Sequence, residues 1–189
     1  AMKETGRTDF KPFSSGIVRG DGPGKHISVD VSGLARVRLV TEMKRSPGNL
    51  TIWGGAEPVA KDGSRTPLAD IDPLSVRVGW GKLLRHKNWQ GHPFRIGDKT
   101  FKHGLWVHTD SEVVFELGGR YERLEAWIGL DADRAGGAAV FKVQAGPPDL
   151  APLLWRKAAK DFPQQAAWLA EDAGKDREAE WFDPRDAAA

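Results

Sequence analysis

Residues 103–118, HGLWVHTDSEVVFELG, hold two histidines, one tryptophan and an Asp-Ser pair. Imidazoles ligate metals and move protons, while an indole offers a flat apolar face with a polar edge. Spacing narrows these options. On an extended strand, His103 and His108 point to opposite faces, so they share no metal from a regular strand. The helical spacing of a zinc protease, with its intervening Glu, is absent. Leu105 and Val107 point one way, and Trp106 and His108 the other. If the first pair faces a core, the second lies side by side on the opposite surface. Two readings follow. The indole takes the apolar face of a pyranose while His108 bonds to its hydroxyls, or Trp106 packs under a covering element beside a structural histidine.

A second group is the loop GLDADRAGG, with Asp131 and Asp133. Two carboxylates in a Gly-rich loop suit calcium, a hard cation that prefers oxygen ligands. The rest of an EF-hand loop is missing, and a solvated turn is the alternative. DIDP at 70–73 is a weaker case of the same kind. There is no GxSxG elbow and no P-loop. None of the 26 acids falls in a spacing that marks a glycosidase pair, whose carboxyls stand roughly 5–10 Å apart. The sequence therefore does not read as an enzyme.

The elements that must position these residues are strands. HISVDVSG, RVRLVTE, NLTIWGG, LSVRVGW, EVVFELGG, LEAWIGLD and AAVFKVQAG alternate apolar and polar residues with period two, the pattern of half-buried strands. In LSVRVGW, Leu74, Val76, Val78 and Trp80 align on one side. SPGN, KDGS and two Gly-Gly pairs separate the runs as turns. Seven short strands without crossover helices predict an antiparallel sandwich or jelly roll. Residues 1–24 lack periodicity and read as a loosely ordered lead-in, with Ala1-Met2 a cloning remnant. The β-sandwich spans 25–146. From 147 to 189 the chain is rich in Ala, Leu, Lys and Glu, with Pro163 and Gly174 placed as helix start and stop. This predicts a short α-helical C-terminal extension. Its Trp155, Trp168 and Trp181 either pack on the sandwich or contact a neighbouring domain of a larger parent.

The chain has no cysteine, which removes disulfides and thiolate chemistry. Its net charge of +2 divides into +5 over residues 1–146 and −3 over 147–189. That is mild asymmetry, whereas nucleic-acid domains usually show a denser basic stripe; single-stranded nucleic-acid binding through a basic, aromatic-lined groove stays a rival reading. No apolar run has the roughly 18 residues a membrane helix needs.

The run from Gly79 to Gly146 resembles the NPCBM domain family, which is related to the family 51 carbohydrate-binding modules. The matching residues are Gly79-Trp80-Gly81, Asn88, Gly91, Pro93, Ile96, Gly97, Phe101, HGLWVHTDS, Leu117–Tyr121, Gly129 and Asp131, with IWGGAEP upstream. The resemblance covers roughly residues 25–146. It implies a galactose-binding-like jelly roll, non-catalytic sugar binding with galactose-type ligands for some members, and a structural calcium in related modules. It also implies attachment to large exported bacterial proteins, hence an extracellular or periplasmic setting. Three positions depart from the family. Trp106 stands where the family is usually small, Thr109 replaces Ala, and Asp110 replaces a common Asn or Pro.

The expected ligand contacts are Trp53, Trp106, His108, Asp110 and Trp127, and the expected calcium ligands are Asp131 and Asp133. The expected partner is carbohydrate rather than nucleic acid or membrane. A domain-docking module that has lost sugar binding is the main rival. A glycoside hydrolase in its own right is a more distant one.

Overall fold

The structure is a computed structural model that describes residues 9–45, 50–134 and 136–146. Alternation places the strands. In β3 (Arg36–Arg45), Val37 and Leu39 are buried while Arg36 and Arg38 are half-buried on the other side. The same parity buries Val113 and Phe115 in β10 (Ser111–Glu116), Leu124, Ala126 and Ile128 in β11 (Tyr121–Leu130), and Ala139, Phe141 and Val143 in β12 (Ala138–Ala145). One five-stranded antiparallel sheet runs β1 (Phe13–Arg19), β12, β3, β10, β5 (Ser75–Arg77). A second runs β2 (Lys25–Asp30), β11, β4 (Leu50–Ala60), β9 (Gly104–His108), β6 (Leu84–Arg85). Trp53 of the second sheet meets Phe141 of the first edge-on, with centroids 5.2 Å apart. The two sheets thus share one core, and the fold is an all-β sandwich. No α-helix occurs among the described residues, so none is long and apolar enough to cross a membrane. The expected C-terminal helices lie outside the described residues.

Two parts differ from expectation. The lead-in expected over residues 1–24 contains edge strand β1, paired with β12. Its register slips between Ser14 and Ile17, around Gly16 at φ 68°. That bulge breaks the period-two pattern and hides the strand from a sequence reading. The alignment of Leu74 through Trp80 ends early. Val76 lies opposite core residue Val113 but is 42% exposed, because β5 is a three-residue edge strand. Trp80 falls in the following loop.

The second sheet also carries a layer on its outer face. The short hairpin β7 (Phe94–Ile96) and β8 (Lys99–Phe101) turns at Gly97-Asp98. Phe94 and Ile96 pack with Ile52 and Trp106 in a second apolar cluster. Glycines on the sheet make room for it. A Cβ at Gly54 would stand 2.7 Å from the Phe101 ring, and one at Gly129 would stand 2.2 Å from Ile96 Cγ2.

Gly54→Ala is therefore expected to displace the hairpin and to cost about 1–3 kcal/mol in urea unfolding, the usual penalty of overpacking. Stability equal to wild type would show that the hairpin does not sit on the sheet in this way.

Candidate functional site

The structure separates the seven residues expected to contact ligand or metal. Trp53 is 1% exposed and lies in the sandwich core, so it offers no platform to a sugar. The expectation fails because Trp53 shares the core-facing side of β4. Trp106 is on the outer face as parity requires, but the hairpin covers it and leaves it 4% exposed. Its Nε1–H donates to Asp131 Oδ2 at 2.7 Å. It is a buried anchor and not a sugar-stacking ring. Trp127 is half-buried on β11, with Lys99 Nζ 4.7 Å from its ring centroid and the His26 ring tilted at 5.6 Å. Protein groups thus already engage its ring.

The two aspartates do not fit a calcium site. Asp131 is 1% exposed. Its Oδ2 accepts from Trp106 and its Oδ1 from the Asp133 backbone N–H at 3.0 Å. Asp133 Oδ1 accepts from Arg95 at 2.9 Å, and Oδ2 from Asn88 Nδ2 at 3.0 Å. Both carboxylates are thus committed to protein donors, and a guanidinium already supplies the cation. No cluster of three or more metal-ligating side chains occurs among the described residues. The Arg95 guanidinium holds the Asp133 carboxyl below its ordinary value, against a partial-burial effect in the other direction, with help from His92 and Asn88.

His108 and Asp110 remain together at one end of the sandwich. His108 is half-buried, with Nδ1 2.8 Å from the Thr109 carbonyl oxygen. Asp110 is exposed, and its Oδ1 accepts from the Met43 N–H at 2.7 Å, which ties the β9–β10 turn to β3. Beside them stands Trp80, 72% exposed, its ring 5.9 Å from that of His108 and edge-on to it. Gly79 permits this. A Cβ there would lie 2.2 Å from the Thr109 carbonyl oxygen, so only glycine lets the loop press against the turn.

A chain of contacts leads from Trp80 to a second exposed indole. His108 pairs with Leu50 across β9 and β4, and the Leu50 carbonyl accepts from the Asp131 N–H at 2.9 Å. Asp131 begins the 131–134 loop, where the Arg134 guanidinium lies 5.4 Å from the centroid of Trp89, itself 53% exposed. Neither ring is among the contacts expected from the sequence. Period-two parity aligns Trp80 with a strand that ends at Arg77, and Trp89 lies outside every alternating run. The glycines flanking Trp80 were the available signal.

Residues 64–153 match the family model described as "NPCBM/NEW2 domain". That stretch of the chain is thus similar to the family which the sequence resembles. The matched span includes Trp80, Trp89, His108, Asp110 and Asp131, while β1 to β4 lie before it. No curated protein matches the chain. Among solved structures, it is similar to the crystal structure of SPBc2 prophage-derived protein YomS. That match has 11% identity and a TM-score of 0.34, and covers 70% of this chain and 91% of that one.

NPCBM is a binding-module family. Among the acids, Glu57 and Glu125 face each other across β4 and β11. Arg65 Nη1 donates to both, at 3.2 and 2.8 Å, and Arg123 donates to Glu125 at 2.7 Å. Those hydrogen bonds, from Arg123 first and then Arg65, lower the Glu125 pKa. A glycosidase acid needs the reverse, a carboxyl that stays protonated.

Two predictions test the buried network. Trp106→Phe leaves Asp131 buried without its donor and is expected to cost about 1.5–3 kcal/mol in urea unfolding, the range for hydrogen bonds to charged groups. Arg95→Ala is expected to destabilise the domain in a pH-dependent way. A depressed Asp133 pKa stabilises the fold fully above the unfolded value, near 3.8, and loses that contribution as pH falls through the lower folded value. The stability gap between wild type and variant should therefore be widest above that pH and narrow below it. A gap independent of pH in urea titrations would contradict the Arg95–Asp133 pairing.

Proposed function

We propose that this protein is a non-catalytic carbohydrate-binding module for galactose-type glycans, part of a larger exported bacterial protein and working outside the cell or in the periplasm. Its sandwich is read as a galactose-binding-like jelly roll with the contact surface at the end that holds the β9–β10 turn. The observation that carries the reading is Trp80, 72% exposed and edge-on to His108 inside the span that matches a carbohydrate-binding family. Leaving an indole this exposed without a partner gains nothing for folding, whereas a pyranose laid on its face removes apolar area from water. His108 and Asp110, on the turn that Gly79 presses against, supply polar groups to bond hydroxyls. Trp89, backed by Arg134, is a second platform along the same end.

One exposed ring with a few polar groups gives weak affinity. Avidity within a larger parent, where several modules act on one polymer, raises it.

Titration against a glycan panel, followed by calorimetry and tryptophan fluorescence, tests the proposal. Saturable binding of a galactose-type glycan is expected, and Trp80→Ala should weaken it at least about tenfold while moving stability by no more than about 0.5 kcal/mol, as exposed substitutions do. Unchanged binding by Trp80→Ala would remove this surface from the site. A flat response across the panel would remove the carbohydrate reading.

A further inference from the structure

The segment between and beyond the two exposed indoles is also strongly basic. Residues 82–103 hold six Lys/Arg and one acid, net +5, in a chain of net +2. The remainder is therefore net −3, so the charge is concentrated here. Part of it is neutralised locally. Arg85 pairs with Asp72 at 2.9 Å, Arg95 with Asp133 at 2.9 Å and Lys99 with Asp98 at 3.5 Å.

Lys82 and Lys87 are different. Both are exposed, and neither has a carboxylate partner among the described residues. Lys82 stands two residues after Trp80, and Lys87 two residues before Trp89. The stretch from Trp80 to Lys87, WGKLLRHK, contains no acid at all. Each exposed ring thus has a free ammonium close along the chain, and Trp89 also has the Arg134 guanidinium at 5.4 Å. The acids that touch this stretch are Asp72, on Arg85 at 2.9 Å, and Asp70, on His86 at 3.4 Å, and neither is paired with Lys82 or Lys87. Asp133 is neutralised by Arg95.

We infer that the glycan taken here is acidic, a galactose-type sugar bearing carboxylate or sulfate groups. Its ring faces lie on Trp80 and Trp89, and its anions meet Lys82, Lys87 and Arg134. This rests on the carbohydrate reading of the same surface and narrows it. Ammonium-to-anion hydrogen bonds are roughly twice as strong as neutral ones. A neutral sugar leaves Lys82 and Lys87 without a function. A single-stranded nucleic acid is also anionic and stacks on aromatics, but it calls for successive rings along a continuous basic groove. Here the contacts that link the two indoles run through the acidic 131–134 loop.

The test is calorimetric titration of the full chain with four probes of matched length, at low and high salt. They are an oligogalacturonate, a sulfated galactan oligosaccharide, a neutral galactan oligosaccharide and an oligothymidylate. The acidic sugars are expected to bind about tenfold or more tighter than the neutral one, with a preference weakened by salt. Which acidic sugar binds tighter separates carboxylate from sulfate recognition. The double variant Lys82→Ala/Lys87→Ala should lose that preference and leave neutral-sugar binding and the urea midpoint unchanged. Equal affinity for neutral and acidic sugars, or a preference insensitive to the double variant, overturns the acidic ligand while the carbohydrate reading stands. Oligothymidylate binding tighter than every sugar, or no probe binding, overturns both.

Discussion

A carboxylate buried from water must have its oxygens occupied, and the loop end of this sandwich is arranged around one that does. Asp131 reaches both the Trp106 indole and the Asp133 backbone, and its own N–H reaches the Leu50 carbonyl. These bonds join β9, β4 and the end of β11 at one point. Asp133, placed by its backbone N–H bond to Asp131, then holds Asn88 and Arg95, which brings in the segment around the outer hairpin. The cost of desolvating an acid is offset only if all these donors are in place together. The 131–134 loop and the segment bearing Trp89 therefore stand or fall together, and their geometry is set by a few hydrogen bonds rather than by the bulk of the core.

That network also accounts for the departure at Trp106. A large ring on an outer face must be covered or protrude. The β7–β8 hairpin covers it with Phe94 and Ile96, and Gly54 and Gly129 let the hairpin lie close enough. The indole N–H would then be an orphan donor without an acceptor, and Asp131 supplies one. Bulk, cover, glycine and acid form one consistent set.

What the sequence revealed follows from which physical signals are local. Parity in β3, β10, β11 and β12 was legible, because each side chain reports its face through its immediate neighbours. Parity also placed Trp106 on the outer face and Trp53 with Thr51. It could not show that a further layer lies over the outer face, because strands of three residues such as β7 and β8 are too short to display a period. The two aspartates suggested oxygen ligation for a similar reason. Their actual donors, Trp106 and Arg95, are 25 and 38 residues away in the chain. Strand β1 was hidden by its bulge, and Trp80 by a strand that ends at Arg77.

The rings of this domain divide by role, and the division is physical. Trp53 and Trp106 carry large apolar area into contacts that water does not reach, so their chemistry is spent on folding. Trp80 and Trp89 contribute little to that, since most of their surface remains in water. They are nevertheless held in place from below, Trp80 by the glycine-tight approach of its loop to the Thr109 carbonyl and Trp89 by the loop that Asp131 fixes. A platform positioned by a rigid scaffold loses little entropy when a ligand settles on it. This is why a small sandwich can present binding groups on loops and still hold them where a weak, repetitive ligand can use them. It also makes binding and stability separable here. The two exposed rings that would meet a sugar are not the ones that hold the fold, although the backbone beneath them is.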